Sequence, residues 1–286
     1  MQETPGQKFR RALNEEHPLQ LIGVINAYVA IMAKRIGFRA LYLSGAGIAN
    51  SSYGLPDIGI TTLDNVLEDA QRITAAVDLP LVVDIDTGWG SAPMIARTIQ
   101  SMIRAGVAAV QIEDQVAQKR CGHLPEKELV PLEEMVERIK VAVDTKTDPS
   151  FVIIARTDAL AIEGLEPAIL RAIAYRKAGA DLIFPEAVQT IDQYKAFKQA
   201  VEIPVLANIT EFGKTPLFTL EELKEAGVDI ALYPLSVNRA MNFAAQLTLE
   251  GIRTKGTQRD LLNRMQTREE LYDFLGYIVS VKDKIH

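Results

Sequence analysis

Residues 79–114 read LPLVVDIDTGWGSAPMIARTIQSMIRAGVAAVQIED. An apolar run closing on two aspartates (79–86) leads into an amphipathic segment (94–105), an Ala105-Gly106 stop, and a second apolar run ending in Glu113-Asp114 (108–114). Apolar runs of strand length joined by a helix are the pattern of a parallel crossover. A strand covered on both faces needs no polar alternation, and glycine suits the left-handed position just past a helix end.

The same unit recurs along the chain. Strands are predicted at 20–26, 40–44, 79–86, 108–114, 151–158, 181–186, 204–210 and 229–234, with helical segments such as 94–105, 132–144, 167–178 and 220–226 between them. Ala178-Gly179 and Ala226-Gly227 repeat the helix stop. Eight strand–helix units predict a closed, parallel (β/α)8 TIM barrel rather than an open doubly wound sheet. No G-x-G-x-x-G follows the first strand and no G-x-x-x-x-G-K-[ST] occurs, so the dinucleotide-binding and P-loop folds lack their defining loops. A single domain over 1–286 is expected, with a C-terminal helical extension from about residue 240 (239–250 and 268–278). In the last stretch Leu271, Phe274, Leu275 and Ile278 share one face, which asks for a covering surface such as another subunit.

Composition narrows the function. With 286 residues, 48% of them hydrophobic, the chain can bury a large core. Charged residues make up 24% and are dispersed, with no linker or low-complexity tract. A net charge of −6 and a pI near 5.3 exclude an ordinary nucleic-acid binder, and an acidic substrate must be drawn by local charge. One cysteine cannot form an intramolecular disulfide, the N-terminus lacks the apolar core of a signal peptide, and no apolar run approaches ~20 residues. The expectation is a cytoplasmic protein without membrane contact.

Barrel enzymes build their sites at the C-terminal ends of the strands. Here most strands end in polar groups: Tyr42 and Ser44, Asp84 and Asp86, Glu113 and Asp114, Arg156 and Asp158, Glu186, Asn208 and Thr210. Residues two apart on a strand share a face, so Asp84 with Asp86, and Asn208 with Thr210, should point together into the barrel mouth. An Asp-x-Asp can simply close a strand. Two carboxylates converging at an apolar rim, however, repel each other unless a cation sits between them, and a hard, oxygen-liganded ion such as Mg2+ fits the pair.

The connection 115–131 is too long for a minimal turn and reads as an active-site loop. It carries Lys119-Arg120-Cys121-Gly122-His123. Adjacent cations and an imidazolium favour a thiolate, and a thiol that titrates near neutrality can pass a proton either way, although a lone cysteine also serves as a small buried hydrophobe.

These segments, with Gly54-Leu55-Pro56-Asp57, Ile112-Glu113-Asp114-Gln115, Ala155-Arg156-Thr157-Asp158, Asn208-Ile209-Thr210-Glu211-Phe212-Gly213 and Thr267-Arg268, resemble the isocitrate lyase/phosphoenolpyruvate mutase superfamily over nearly the whole chain. The K-[KR]-C-G-H loop marks its lyases, and the length resembles the branch acting on 2-methylisocitrate. The resemblance implies Mg2+ on Asp84 and Asp86, with Mn2+ as a substitute and Asp57 and Glu113 in the shell around it. It implies substrate contacts from Ser44, Gly45, Ala46, Cys121 and Gly122, and a carboxylate-binding set of Arg156, Glu186, Asn208, Ile209, Thr210, Arg239 and Arg268. It further implies a homotetramer that exchanges the C-terminal helix between subunits. The chain departs from the family's frequent Ser-Gly-Gly-Gly at Ala46, and in Ile85, Thr87 and Trp89.

The chemistry implied is cleavage of a small tricarboxylate, 2-methylisocitrate, into pyruvate and succinate, as in propionate catabolism through the methylcitrate cycle. Cys121 would deliver the proton, His123 would support it, and Tyr42 or a metal-bound water would be the base. Phe184, Leu232 and Pro234 are candidates for the recess that accepts the methyl. The rivals are isocitrate cleavage to glyoxylate and succinate, and oxaloacetate or phosphonopyruvate chemistry on the same metal site. A Schiff-base aldolase lacks a strand-end lysine, and a non-catalytic binder leaves the metal pair, thiol and arginines unexplained.

Overall fold

The computed structural model describes residues 3–120, 122 and 126–277. A first helix, α1 (Pro5–Glu15), precedes β1 (Leu19–Gly23), α2 (Ala27–Ile36), β2 (Ala40–Leu43), α3 (Gly45–Ser52), α4 (Leu63–Ala76), β3 (Leu81–Asp84) and α5 (Ala92–Arg104). The second half runs β4 (Ala109–Glu113), α6 (Leu132–Asp144), β5 (Val152–Thr157), α7 (Leu160–Glu163), α8 (Leu165–Lys177), β6 (Leu182–Pro185), α9 (Ile191–Val201), β7 (Leu206–Asn208), α10 (Leu220–Glu225) and β8 (Ile230–Tyr233). A long α11 (Ser236–Lys255), a 3-10 turn (Arg259–Arg264) and α12 (Arg268–Leu275) follow. All ladders are parallel, in the order β6-β5-β4-β3-β2-β1-β8-β7, and an Ile183–Val205 bridge joins β6 to β7, closing the barrel.

The closed barrel matches the expectation; the strands are shorter than predicted. Pro80 and Pro204 have no N–H to donate, so the ladders begin one or two residues later, at Leu81 and Leu206, while both prolines still accept through their carbonyls. Strand alternation sorts the apolar residues into two layers. Leu41, Leu43, Val83, Ile112 and Ile153 face the helices. Tyr42, Val82, Ile154, Phe184 and Leu232 fill the barrel. The sequence reading missed α1, whose Phe9 and Ala12 join the inner layer and plug the N-terminal end. Its start is set by Thr4, whose hydroxyl accepts from Gln7 N–H in a reciprocal capping box, with Pro5 in the first turn.

The three Ala-Gly stops behave as expected, with Gly106, Gly179 and Gly227 at φ of 77°, 105° and 76°. The C-terminal segments depart from prediction. Helix α12 packs on α2 of its own chain, through Tyr28 edge-on to Phe274 and an Arg35–Asp273 pair at 2.7 Å. It is α11, longer than expected, that leaves the barrel: only Asn238 is buried along it, while Met241, Phe243, Leu249 and Ile252 lie exposed. No described helix is long and apolar enough to cross a membrane.

Candidate active site

At the C-terminal mouth the inward-facing positions switch from apolar to ionic. Register places Asp84 opposite Gln111, and Glu113 opposite Arg156. The expected pairing of Asp84 with Asp86 holds, but by different geometry. The strand stops at Asp84, and Asp86 turns left-handed at φ 47°, a conformation that asparagine and aspartate tolerate better than most residues. Asp86 N–H donates to Asp84 Oδ1 at 3.1 Å and Gly45 N–H donates to Asp84 Oδ2 at 3.2 Å, which fixes the carboxylate. Gly45 therefore acts behind the carboxylates, where a Cβ would lie 3.2 Å from Asp84 and 3.3 Å from Asp86; it does not line the cavity.

Glu113 joins the pair. One oxygen from each of Asp84, Asp86 and Glu113 lies within 4.8 Å of the others, and all three residues are buried. Among the described residues no donor hydrogen-bonds to either Glu113 oxygen; Arg156 Nη1 approaches one at 3.4 Å. Burial, and then Asp86, raise the Asp84 carboxyl to about 6, and burial drives Glu113 well up. Beside them the buried Lys119 ammonium touches Asp57 and reaches Asp86 Oδ1 at 2.8 Å. Four carboxylates (Asp57, Asp84, Asp86, Glu113) thus crowd around two cations (Lys119, Arg156), and Arg156 is shared with Asp158 and Glu186, so carboxylates are in excess. An all-oxygen, carboxylate-rich donor set with that excess fits a hard divalent cation.

Lys119 was expected to bias the neighbouring thiol. Its charge is shared by Asp57 and Asp86, and that of Arg120 by Glu126 at 2.8 Å. Burial would lower the Lys119 pKa, but Asp86, Glu113, Asp57 and Asp84 together raise it well above the usual value. Cys121 and His123 lie outside the described residues.

A cavity of about 220 Å³ opens beside this cluster. Tyr42, Ser44, Ala46, Asp57, Asp84, Lys119, Gly122, Arg156, Glu186, Asn208, Thr210 and Arg239 line it, with Phe184, Leu232 and Pro234 as its apolar part. Gly122 is required by close approach: a Cβ there would lie 2.4 Å from Arg156 Nη2 and 2.6 Å from Glu186 Cγ. Asn208 Nδ2 donates to Glu186 at 3.3 Å, and Arg239 sits over the exposed Phe212 ring, 5.5 Å from its centre. A more open cavity of about 420 Å³ lies on the other side of Asp86, lined by residues such as Thr62, Trp89 and Met94.

Three expectations change. Tyr42 is held as a neutral phenol: it donates to Gln111 Oε1 at 2.8 Å, and burial followed by the Asp84 charge pushes its pKa well up, the opposite of what a base needs. Ile209 packs outward with the helices, one residue out of phase with Asn208 and Thr210. Arg268 is exposed at the start of α12 and does not line this chain's cavity. Sequence reading also passed over Lys127 and Asp158, whose buried pair at 2.7 Å lies beneath Gly122. Only the polar end of β5 hinted at Asp158, and nothing in the sequence marks a loop lysine as buried.

Comparison with known proteins agrees with this geometry. The phosphoenolpyruvate phosphomutase family profile matches residues 9–253. A 2-methylisocitrate lyase of Shewanella oneidensis is 59% identical over 277 residues, covering 97% of this chain and 95% of that one. The crystal structure of 2,3-dimethylmalate lyase superposes with a TM-score of 0.89 at 36% identity, over 96% of this chain and 93% of that one. A phosphonopyruvate hydrolase solved with oxalate and Mg2+ superposes with a TM-score of 0.83 at 29% identity, over 96% and 95% of the two chains. By sequence, fold and the make-up of its barrel mouth, the chain belongs to the phosphoenolpyruvate mutase/isocitrate lyase superfamily.

Proposed function

We propose that the chain is a Mg2+-dependent carbon–carbon lyase that cleaves 2-methylisocitrate into pyruvate and succinate. One observation carries the reading: Asp84 of the buried carboxylate trio lines a single cavity together with the donors Arg156, Asn208 and Thr210 and the apolar Phe184, Leu232 and Pro234. The relative named 2-methylisocitrate lyase, 59% identical over nearly the whole chain, supports the choice of substrate.

When bound to Asp84, Asp86 and Glu113, Mg2+, or Mn2+ in its place, supplies Lewis-acid polarisation of the substrate's hydroxyl and adjoining carboxylate. The chain does the rest. Arg156 offers charged donors, and Asn208 and Thr210 neutral ones, to the carboxylates of the half that leaves as succinate. As the carbon–carbon bond breaks, its electron pair passes to the succinate carbon, and these donors stabilise the charge that develops there. The hydroxyl proton passes to water, since Tyr42 is held as a phenol, and its carbon becomes the keto carbon of pyruvate. Cys121, next to the cavity-lining Gly122, returns a proton to the succinate carbon, with His123 in support. Phe184, Leu232 and Pro234 receive the methyl, and such a recess discriminates by about 1–3 kcal/mol.

The exposed apolar residues of α11 support a homotetramer in which this helix packs on a neighbouring subunit, and the chemistry suits a cytoplasmic step of the methylcitrate cycle. The test is a side-by-side assay with Mg2+, following pyruvate from 2-methylisocitrate and glyoxylate from isocitrate. Pyruvate should form faster by about 10–200-fold and vanish with EDTA. Faster glyoxylate, or turnover of oxaloacetate or phosphonopyruvate alone, would reject the assignment.

A further inference from the structure

Lysine is rarely buried without a purpose its partners explain, because its ammonium must replace a full hydration shell. Lys127 is such a residue: its side chain is 2% exposed and its partner Asp158 is 0% exposed. Nζ donates to Asp158 Oδ1 at 2.7 Å and to the Gly122 carbonyl at 2.6 Å. Asp158 also accepts from Arg156 Nε at 3.0 Å, and its backbone N–H donates to Asp114 Oδ1 at 2.9 Å. A charge taken out of water is thus spent on a backbone carbonyl in the cysteine loop, at the one glycine that lies against Arg156 and Glu186.

We propose that Lys127 is a positioning residue for the reaction: through Asp158 it ties the Gly122 carbonyl to the strand that carries Arg156, and so fixes the loop backbone where it meets the cavity. Purely structural pairs occur elsewhere in the barrel. Lys198 and Asp229, at 2.7 Å, link α9 to the N-terminal end of β8, away from the cavity. The Lys127 pair differs in holding a cavity-lining backbone atom. The inference rests on the proposed lyase reading for its turnover arm only.

The experiment compares Lys127→Met with Lys198→Met and the parent, all as full-length protein with Mg2+, with melting temperature and circular dichroism monitoring the fold. In Lys127→Met, kcat per folded protein should fall about 10–100-fold, the loss expected when one hydrogen bond from a charged group is removed. Lys198→Met should lose stability while keeping kcat per folded protein within about twofold. The second readout needs no substrate. Cys121 is the only cysteine, so iodoacetamide reports on it alone. Its alkylation rate should shift at least about fivefold in Lys127→Met and not in Lys198→Met. Equal kcat in parent and Lys127→Met, or the same alkylation rate in all three proteins, would overturn the proposal. A parent that alkylates as described but does not turn over 2-methylisocitrate would count against the substrate reading alone.

Discussion

Replacing Asp84 by asparagine should make the metal-free protein more stable while abolishing its response to Mg2+. Burial and Asp86 raise the Asp84 carboxyl from 3.8 to about 6. A shift of roughly 2 units corresponds to roughly 3 kcal/mol by which ionisation of this group opposes folding at neutral pH. The amide removes that charge but can accept only one of the two backbone N–H groups, Gly45 and Asp86, that now donate to the carboxylate; the lost bond costs about 1 kcal/mol. The net gain is about 2 kcal/mol, or about 3 °C in melting temperature for a chain of this size. The sign follows from linkage. The folded pKa lies above the unfolded one, so the folded state holds the extra proton, and the penalty is absent below the unfolded value of 3.8, builds up to about 6, and is constant above. Thermal melts of parent and Asp84→Asn in EDTA, from pH 4.5 to 8, should therefore show an advantage for the variant that shrinks as the pH falls. In Mg2+ at 100 times its Kd the parent gains about 2.7 kcal/mol and the order reverses. An asparagine variant that melts below the parent in EDTA at pH 8, or whose advantage does not change with pH, would refute the account of a carboxylate held in place for a cation.

Gly122→Ala should lower kcat/KM by about 10–100-fold with the fold intact, because a methyl would intrude on Arg156 and Glu186 and overpacking costs about 1–3 kcal/mol; steady-state kinetics with circular dichroism decides it. Cys121→Ser should lose about 10²–10⁴-fold in kcat with an unchanged melting curve, and near-parental turnover would remove the cysteine from the mechanism. Tyr42→Phe should lose about 1–3 kcal/mol of stability by stranding the Gln111 carbonyl yet keep kcat within about tenfold. A drop of about 10²–10⁴-fold would restore tyrosine as the base.

The barrel was legible because its signals are local: apolar runs of strand length, amphipathic helices and Ala-Gly stops repeat with one period, although the ladders that close it join distant residues such as Leu19 and Ile230. The metal carboxylates were legible for a related reason, since Asp84 and Glu113 end apolar strands at inward-facing positions, whereas Asp114 beside them turns outward to Thr157 and Tyr175. Strand phase failed where the backbone left the strand. Asp86 reaches its partner through a left-handed turn; at Ile209 the phase held, and it is the contact implied by the resemblance that fails, because the residue falls outward between two inward-facing ones. What a titratable group does depended on contacts far apart in the chain. Lys119 is held between Asp57 and Asp86, Tyr42 is held protonated by burial and Asp84, and Lys127 spans from the loop to Asp158. The sequence by itself determined the (β/α)8 architecture and which end of the barrel carries the chemistry. Only the tertiary structure decided which charges meet, because desolvation and Coulomb energies depend on distances that closing the barrel creates.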